Sequence, residues 1–179
     1  MPAAELTFEL LDGPAARAGV PGLLELQAEA AGLAGPDRFA GRLEVQARQP
    51  GFAVAVARSG GYLIGGAAGL PLRPSTSWWR DLTTPLPDEV TTEHPGRTFA
   101  LTTLVVRPSW RRQRIGGTLH DLLLASRAEE RATAIVVPSA TAAQAALHSW
   151  GWARIARARG AGPGDPAPDV LVRALPLRA

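Results

Sequence analysis

"VVRPSWRRQRIGGTLHDLLL", residues 105–124, sets the end of an apolar strand against the start of an amphipathic helix, with Arg111, Arg112, Arg114, Gly116 and Gly117 between them. Like charges repel, and glycine weakens a helix start because the unfolded chain has more freedom to lose there. A bound anion would compensate both effects. The first turn of a helix leaves backbone N–H groups without partners, and the helix dipole adds partial positive charge at that end. Phosphate is the natural ligand of such a turn. Gly116 and Gly117 let a bulky pyrophosphate approach the backbone, the arginines add attraction, and Pro108 stops the strand. The same features also suit a surface loop of solvated arginines over a tight helix–strand contact. Two other phosphate loops are excluded: GxxxxGK[ST] needs a lysine, which the chain lacks, and no GxGxxG follows the first strand.

The neighbours of this stretch extend the pattern. "TFALTTLVV", residues 98–106, reads as a strand, and residues 115–126 as a helix with Ile115, Leu119, Leu122 and Leu123 on one face. "ATAIVVP", residues 132–138, is a short buried strand. Residues 140–150 form an Ala-rich helix that Gly151 stops. "WARIARAR" and "DVLVRALPL" are the last strands, joined by the loop "GAGPGDPAP". Upstream, residues 5–11 alternate as a first strand, and "GPAARAG" reads as a turn leading into a helix over 21–31 with Leu23, Leu24, Gln27 and Ala30 at helical spacing. Pro36-Asp37 opens a second helix with Phe39, Leu43 and Ala47 on one face, ended by Pro50-Gly51. "FAVAVARSGGYLIGGAAGLPL" is two apolar runs split by Arg58-Ser59-Gly60-Gly61, a hairpin signal. Residues 73–97, rich in Pro, Thr and charge, read as a long excursion with room for a short helical turn.

The order is β α α β β, long loop, β α β α β β. A strand–helix–strand unit at 98–138 makes its strands parallel, while the hairpins at 51–71 and 152–177 are antiparallel. The expected fold is an α/β mixed sheet with helices on both faces, in one domain over residues 1–179.

Composition narrows the function. With no Cys there is no disulfide, no thiolate chemistry and no thiolate metal site; no metal site is expected. The basic residues are all Arg, and the formal net charge is only +3, so a nucleic-acid partner is not required. Arg154, Arg157 and Arg159 alternate along one strand, which suits a solvated face, and no aromatic residues interleave them to stack bases. No apolar run is long enough for a bilayer, and the N-terminus shows no secretion signal. A cytoplasmic protein without a membrane partner is the expectation.

The pattern V-x-P-x-x-R-x-Q-R-I-G-G-x-L over residues 106–119 resembles the acyl-CoA pyrophosphate loop of the GNAT superfamily of N-acyltransferases. The family signature Gln/Arg-x-x-Gly-x-Gly/Ala falls on Arg111-x-x-Arg114-x-Gly116, with Arg114 in place of the first glycine. The element order matches over most of the chain, and "GW" at 151–152 resembles the family's "GF" after the second helix. The resemblance implies a mostly antiparallel sheet with a central parallel strand pair. It implies acetyl-CoA as co-substrate, with backbone N–H groups from about Arg112 to Gly117 on the pyrophosphate. The pantetheine arm would lie along strand 98–106, where that strand splays from 132–138. The implied cofactor-binding set is Leu104, Val105, Val106, Arg111, Arg112, Gln113, Arg114, Ile115, Gly116, Gly117 and Thr118, with the thioester carbonyl near the backbone of Leu104 to Val106. An amine attacks directly, helped by positioning and by N–H groups at the developing oxyanion.

Relatives often carry a Glu base in the strand entering the motif and a Tyr acid before "GF". The matching positions here are Thr103, or its neighbour Thr102, and Leu147; the only Tyr, Tyr62, lies in the hairpin. Candidate substitutes are His148, His120 and the loop acids Asp81, Asp88, Glu89 and Glu93; of all these the foremost catalytic candidates are His148, Thr103 and Glu93. Ordered water could also carry the protons. A further alternative is a sensor or regulatory domain that binds acyl-CoA without transfer. Trp78-Trp79 either covers an acceptor or, buried, anchors the loop. The loop acids could attract a cationic amine, against Arg73, Arg80 and Arg97. The acceptor stays open between a small-molecule amine and a protein amine. Many relatives pair as dimers, so a homodimer is open as well.

Overall fold

The computed structural model describes residues 5–31, 37–160 and 162–177, the side chains of residues 31–41 excepted. Strands β1 (Leu6–Asp12), β2 (Ala53–Ser59), β3 (Tyr62–Pro71), β4 (Thr98–Val106), β5 (Arg131–Val136), β6 (Ala153–Arg157) and β7 (Asp169–Ala174) form a seven-stranded sheet in the order β1-β2-β3-β4-β5-β7-β6. The pairs β1–β2, β2–β3, β5–β7 and β6–β7 are antiparallel, and β4–β5 is parallel, with Thr98–Ala100 in register with Arg131–Thr133. This is the mixed, mostly antiparallel α/β sheet expected from the resemblance. The chain forms two compact units, residues 1–70 with 101–126, and residues 71–100 with 127–179.

In the first unit, α1 (Gly13–Ala18), α2 (Val20–Ala31), α3 (Asp37–Ala47) and α5 (Ile115–Ala125) accompany β1 to β3 and the second half of β4. The segment read as a turn, "GPAARAG", is in fact the helix α1. Gly13 takes φ +48, Pro14 occupies the first turn, where a missing N–H costs nothing, and Gly19 closes it on the carbonyls of Ala15 and Ala16 at 3.1 Å each. Pro36 and the side chain of Phe39, read as opening α3 and lining its face, lie outside the described residues. Val20, Leu23, Leu26, Leu43, Ala47, Phe52, Val54 and Val56 make the buried core, with Leu24 and Ala30 partly buried against it. The β2–β3 turn uses Gly60 (φ +54) and Gly61 (φ +83), the double left-handed geometry of a two-residue hairpin.

Strand β3 is thin where helices reach it. A Cβ on Gly66 would stand 2.2 Å from Leu23 Cδ2 of α2. One on Gly65 would stand 3.0 Å from Leu119 Cδ1 and 3.3 Å from Ile115 Cγ2 of α5. Successive strand residues point to opposite faces, so α2 and α5 pack on opposite sides of β3. The start of α5 is thereby seated on the strand next to β4.

In the second unit, β5, β7 and β6 carry α6 (Thr141–Ser149) and the excursion over residues 72–97, which holds the short helix α4 (Asp88–Thr91). The excursion returns to the sheet edge, where Leu82 bridges Ala158 and Thr83 N–H donates to Arg157 O at 2.9 Å. Beside β5, Arg127 binds Glu129 through Nε at 3.0 Å and Nη2 at 2.5 Å, and stacks on Phe99 at 4.3 Å. Burial raises the Glu129 pKa, but the Arg127 bonds and the N–H groups of Glu129 and Ala128 outweigh it, so the carboxyl titrates below its ordinary value. Among the described residues no helix is long and apolar enough to cross a membrane.

Candidate functional site

Strand β4 ends at Val106, where Arg107 N–H donates to Ile64 O of β3 at 2.8 Å. The Arg107 side chain is fully engaged. Its Nε donates to Leu63 O at 2.8 Å, its guanidinium pairs with Glu29 of α2, and it covers the Tyr62 ring at 4.4 Å. Pro108–Trp110 then make one 3₁₀ turn, and the chain enters α5 through Arg111 to Arg114.

The backbone of this entrance is unusual. Arg112 (φ +59) and Arg114 (φ +62, ψ 7) both adopt the left-handed conformation, which costs an L-residue about 1–2 kcal/mol. The family's glycine, replaced here by Arg114, therefore stands at a position with a left-handed requirement. Arg114 is the N-cap of α5, gives no side-chain cap, and no acidic residue stands in the first turn. The first bond closing the helix runs from Thr118 N–H to Arg114 O at 3.0 Å. By helix geometry the N–H groups of Ile115, Gly116 and Gly117 have no intrahelical acceptor.

Arg111, Arg112, Gln113, Arg114 and Thr118 are exposed, Gly116 and Gly117 are partly exposed, and Ile115 is buried as the anchor of the turn. Arg111 Nε donates back to Val106 O at 3.2 Å, and Thr118 Oγ1 to Arg114 O at 3.1 Å. The donor set is a cluster of N–H groups at a dipole end with flanking guanidinium groups, which suits a di- or polyphosphate. It offers nothing to a cation. Upstream, Val105 is buried and Leu104 and Val106 are partly buried on β4. Residues 104–118 thus form one continuous strand–turn–helix segment of the first unit.

The catalytic candidates are divided between the two units. Thr103, buried on β4, accepts a hydrogen bond from Gln27 Nε2 of α2 at 3.3 Å. Thr102 donates from Oγ1 to Gln46 Oε1 of α3 at 2.8 Å and to Ala68 O at 3.3 Å. In the sequence Gln27 shows only as a polar amide at inward helical spacing among leucines, and Gln46 carries no such signal.

Glu93 is buried in the second unit. Its Oε1 accepts from Trp79 Nε1 at 2.9 Å, Thr98 Oγ1 at 2.8 Å and Arg131 Nη2 at 2.9 Å. His148 is exposed at the end of α6 with Nδ1 3.2 Å from Trp152 O, while neighbouring Leu147 is buried. His120 is wholly buried in α5, its Nδ1 2.7 Å from Asp121 Oδ1.

Of the excursion's features, Trp79 is a buried anchor whose ring Arg131 covers at 5.0 Å, and partly buried Trp78 donates from Nε1 to Thr133 Oγ1 at 3.1 Å. Asp81, Asp88 and Glu89 are exposed, as are Arg73 and Arg80. Arg97 ties the excursion together by donating to the carbonyls of Thr92 and Glu89.

Comparison with known proteins bears on this geometry. Among curated proteins no sequence matches the chain. Many solved structures do match. YncA from Salmonella typhimurium, solved with its cofactor acetyl-CoA, superposes with a TM-score of 0.63 at 16% identity, covering 98% of this chain and 97% of that one. The ribosomal-protein-S18-alanine N-acetyltransferase from Escherichia coli gives 0.59 at 18% identity, covering 98% and 96%. An aminoglycoside N-acetyltransferase in complex with CoA gives 0.59 at 14% identity, covering 92% and 99%. At these identities the likeness is one of fold. A comparison with protein families matches residues 21–152 to the acetyltransferase (GNAT) family. That match takes in the hairpin, β4, the arginine–glycine entrance to α5 and the "GW" after α6, and the chain belongs to the acetyltransferase (GNAT) family.

Proposed function

We propose that this acetyltransferase moves the acetyl group of acetyl-CoA directly to an amine, reading the donor's pyrophosphate at the entrance to α5. The observation that carries the reading is this entrance. Its N–H groups at Ile115, Gly116 and Gly117 are left open by the helix, Arg112 and Arg114 are held left-handed, and three exposed arginines surround them. Acetyl-CoA supplies an activated acyl carbonyl; this chain's residues bind, orient and shield. The N–H groups and the guanidinium groups of Arg111, Arg112 and Arg114 hold the phosphates, with Gln113 and Thr118 at the rim. The β4 backbone at Leu104, Val105 and Val106 aligns the thioester carbonyl and offers N–H to its oxygen.

The amine acceptor sits on the α2 side of β4, where Thr103 stands one residue before Leu104. Thr103 is a neutral positioning group there. Glu93 serves the architecture, since its Oε1 already takes the Trp79, Thr98 and Arg131 donors. The acceptors printed for the neighbours, an aminoglycoside and a ribosomal-protein alanine, leave small-molecule and protein amines both open for this chain.

A second reading follows from Leu147, which is buried where relatives carry Tyr, and from Thr103 in place of Glu: a domain that binds acyl-CoA and signals without transfer. Turnover separates the two. Thiol release from acetyl-CoA, with the acetylated product weighed by mass spectrometry, is expected from the native chain and lost in Gly116→Trp, whose indole fills the phosphate approach. Acetyl-CoA binding without product from any amine would favour the sensor, and unchanged turnover in Gly116→Trp would remove the loop from the account.

A further inference from the structure

Among the described residues, two buried side-chain atoms make no hydrogen bond: Gln27 Oε1 and Glu93 Oε2. Glu93 is held by the donors on its other oxygen. Gln27 is different, because nothing in the fold requires an amide there. Its helix α2 is otherwise inward-facing with Val20, Leu23 and Leu26, and a leucine would bury more cheaply than an amide with an unmet carbonyl. The Gln27 Nε2 is spent on Thr103 Oγ1, which fixes the amide and leaves Oε1 as an oriented, unused acceptor beside β4.

Among the described residues the surroundings of this acceptor are neutral. The adjoining polar groups are Thr102, Gln46 and Ala68 O. Strand β4 carries no titratable residue. On α2, Glu29 is paired with Arg107 and Glu25 is exposed; on α3, Arg42 and Glu44 are exposed, as is Arg48 beyond its end. On α1, Arg17 is exposed, and the Tyr62 of β3 lies under Arg107. Among the described residues no carboxylate stands where the family resemblance would place the base.

Resting on the acetyl-transfer reading above, we infer that Gln27 Oε1 receives an N–H of the attacking amine, and that the acceptor is a weakly basic amine, of the aryl or alkoxy type. A neutral amide accepts a hydrogen bond but cannot take a proton. An alkylammonium arriving at neutral pH would find no base to strip it. An amine that is already neutral needs only orientation, which an N–H···O bond to a fixed amide supplies. Its nitrogen lone pair forms the C–N bond, the C–S bond breaks with its electrons on sulfur, and the proton shed by nitrogen ends on the CoA thiol.

The test gives the full chain acetyl-CoA and a panel of probes, aniline and methoxyamine against propylamine and benzylamine. Product is followed above the uncatalysed rate between about pH 6 and 9, with acetyl-CoA affinity and melting temperature measured alongside. Aniline and methoxyamine are expected to be acetylated at a rate nearly flat with pH. Propylamine is expected to lag at pH 7 and rise about tenfold per pH unit as it loses its proton. Gln27→Leu should lower kcat/KM for aniline at least about tenfold, with acetyl-CoA affinity and melting temperature held. Gln27→Glu supplies a base and should raise propylamine turnover at pH 7, a change that a purely structural Gln27 would not produce. Turnover confined to the strongly basic amines, no turnover of any panel member despite acetyl-CoA binding, or a Gln27→Leu variant as active as the native chain each overturns the inference. Absence of acetyl-CoA binding in the native chain overturns the transferase reading itself, and this inference with it.

Discussion

Arg114 concentrates adverse terms at one position. Its backbone is left-handed at φ +62, and its cation stands at the positive end of the α5 dipole, beside Arg112 in the same conformation. A free loop gains nothing from either; a loop that receives a phosphate gains from both. Replacing Arg114 by glycine relieves the backbone and removes the charge. The left-handed relief of about 1–2 kcal/mol is partly offset by the looser unfolded chain, leaving about 1 kcal/mol of added stability. For a chain of this size that is a rise in melting temperature of about 2–4 °C. Affinity for CoA should fall a few-fold at the same time, and the fall should shrink in high salt. A melting scan and a titration of the one variant check both halves; a variant that is stabilised and binds as tightly as the native chain would mean that the guanidinium contributes nothing. The sequence shows Arg114 only as a departure from a motif. Its meaning lies in a dihedral angle, and a side-chain pattern does not carry one.

At the scale of elements, periodicity was legible wherever burial is one-sided or the run is long. The β2–β3 hairpin was announced by Arg58-Ser59-Gly60-Gly61, and α5 and α6 start and stop within a residue or two of the positions that their apolar faces and Gly151 suggest. Helix α1 was not legible, since Gly13 and Pro14 are turn residues by composition and only the closing bonds of Gly19 reveal a helix. The meaning of Gly65 and Gly66 was hidden too. They read as part of an apolar strand, whereas the structure shows them as the room into which α5 and α2 are pressed. Gly66→Val tests this. Its Cβ would overlap Leu23 of a helix that carries the amide facing β4, so overpacking should destabilise the fold by about 1–3 kcal/mol. Denaturant unfolding measures it, and a variant of native stability would show that α2 can move aside without loss.

At the scale of the whole molecule, family and donor chemistry were legible because they sit in contiguous sequence: a strand, a proline, arginines and glycines, then a helix. The polar pairs beside β4 were not, because their groups come from distant elements. Gln27 and Thr103 are separated by 76 residues, and Gln46 and Thr102 by 56. Glu93 illustrates the converse. As an acid in a loop it is a catalytic candidate by sequence, and the sequence gives no sign that its Oε1 takes the Trp79, Thr98 and Arg131 donors. The measurement that tests the donor loop most directly is calorimetric titration of the native chain with acetyl-CoA, with CoA and dephospho-CoA as comparisons, at low and high salt. Binding is expected at roughly micromolar affinity, weaker for dephospho-CoA and weaker in high salt, as guanidinium groups reading phosphate require. No heat of binding at about millimolar acetyl-CoA would contradict it, and would mean that the left-handed arginines have closed the entrance to phosphate.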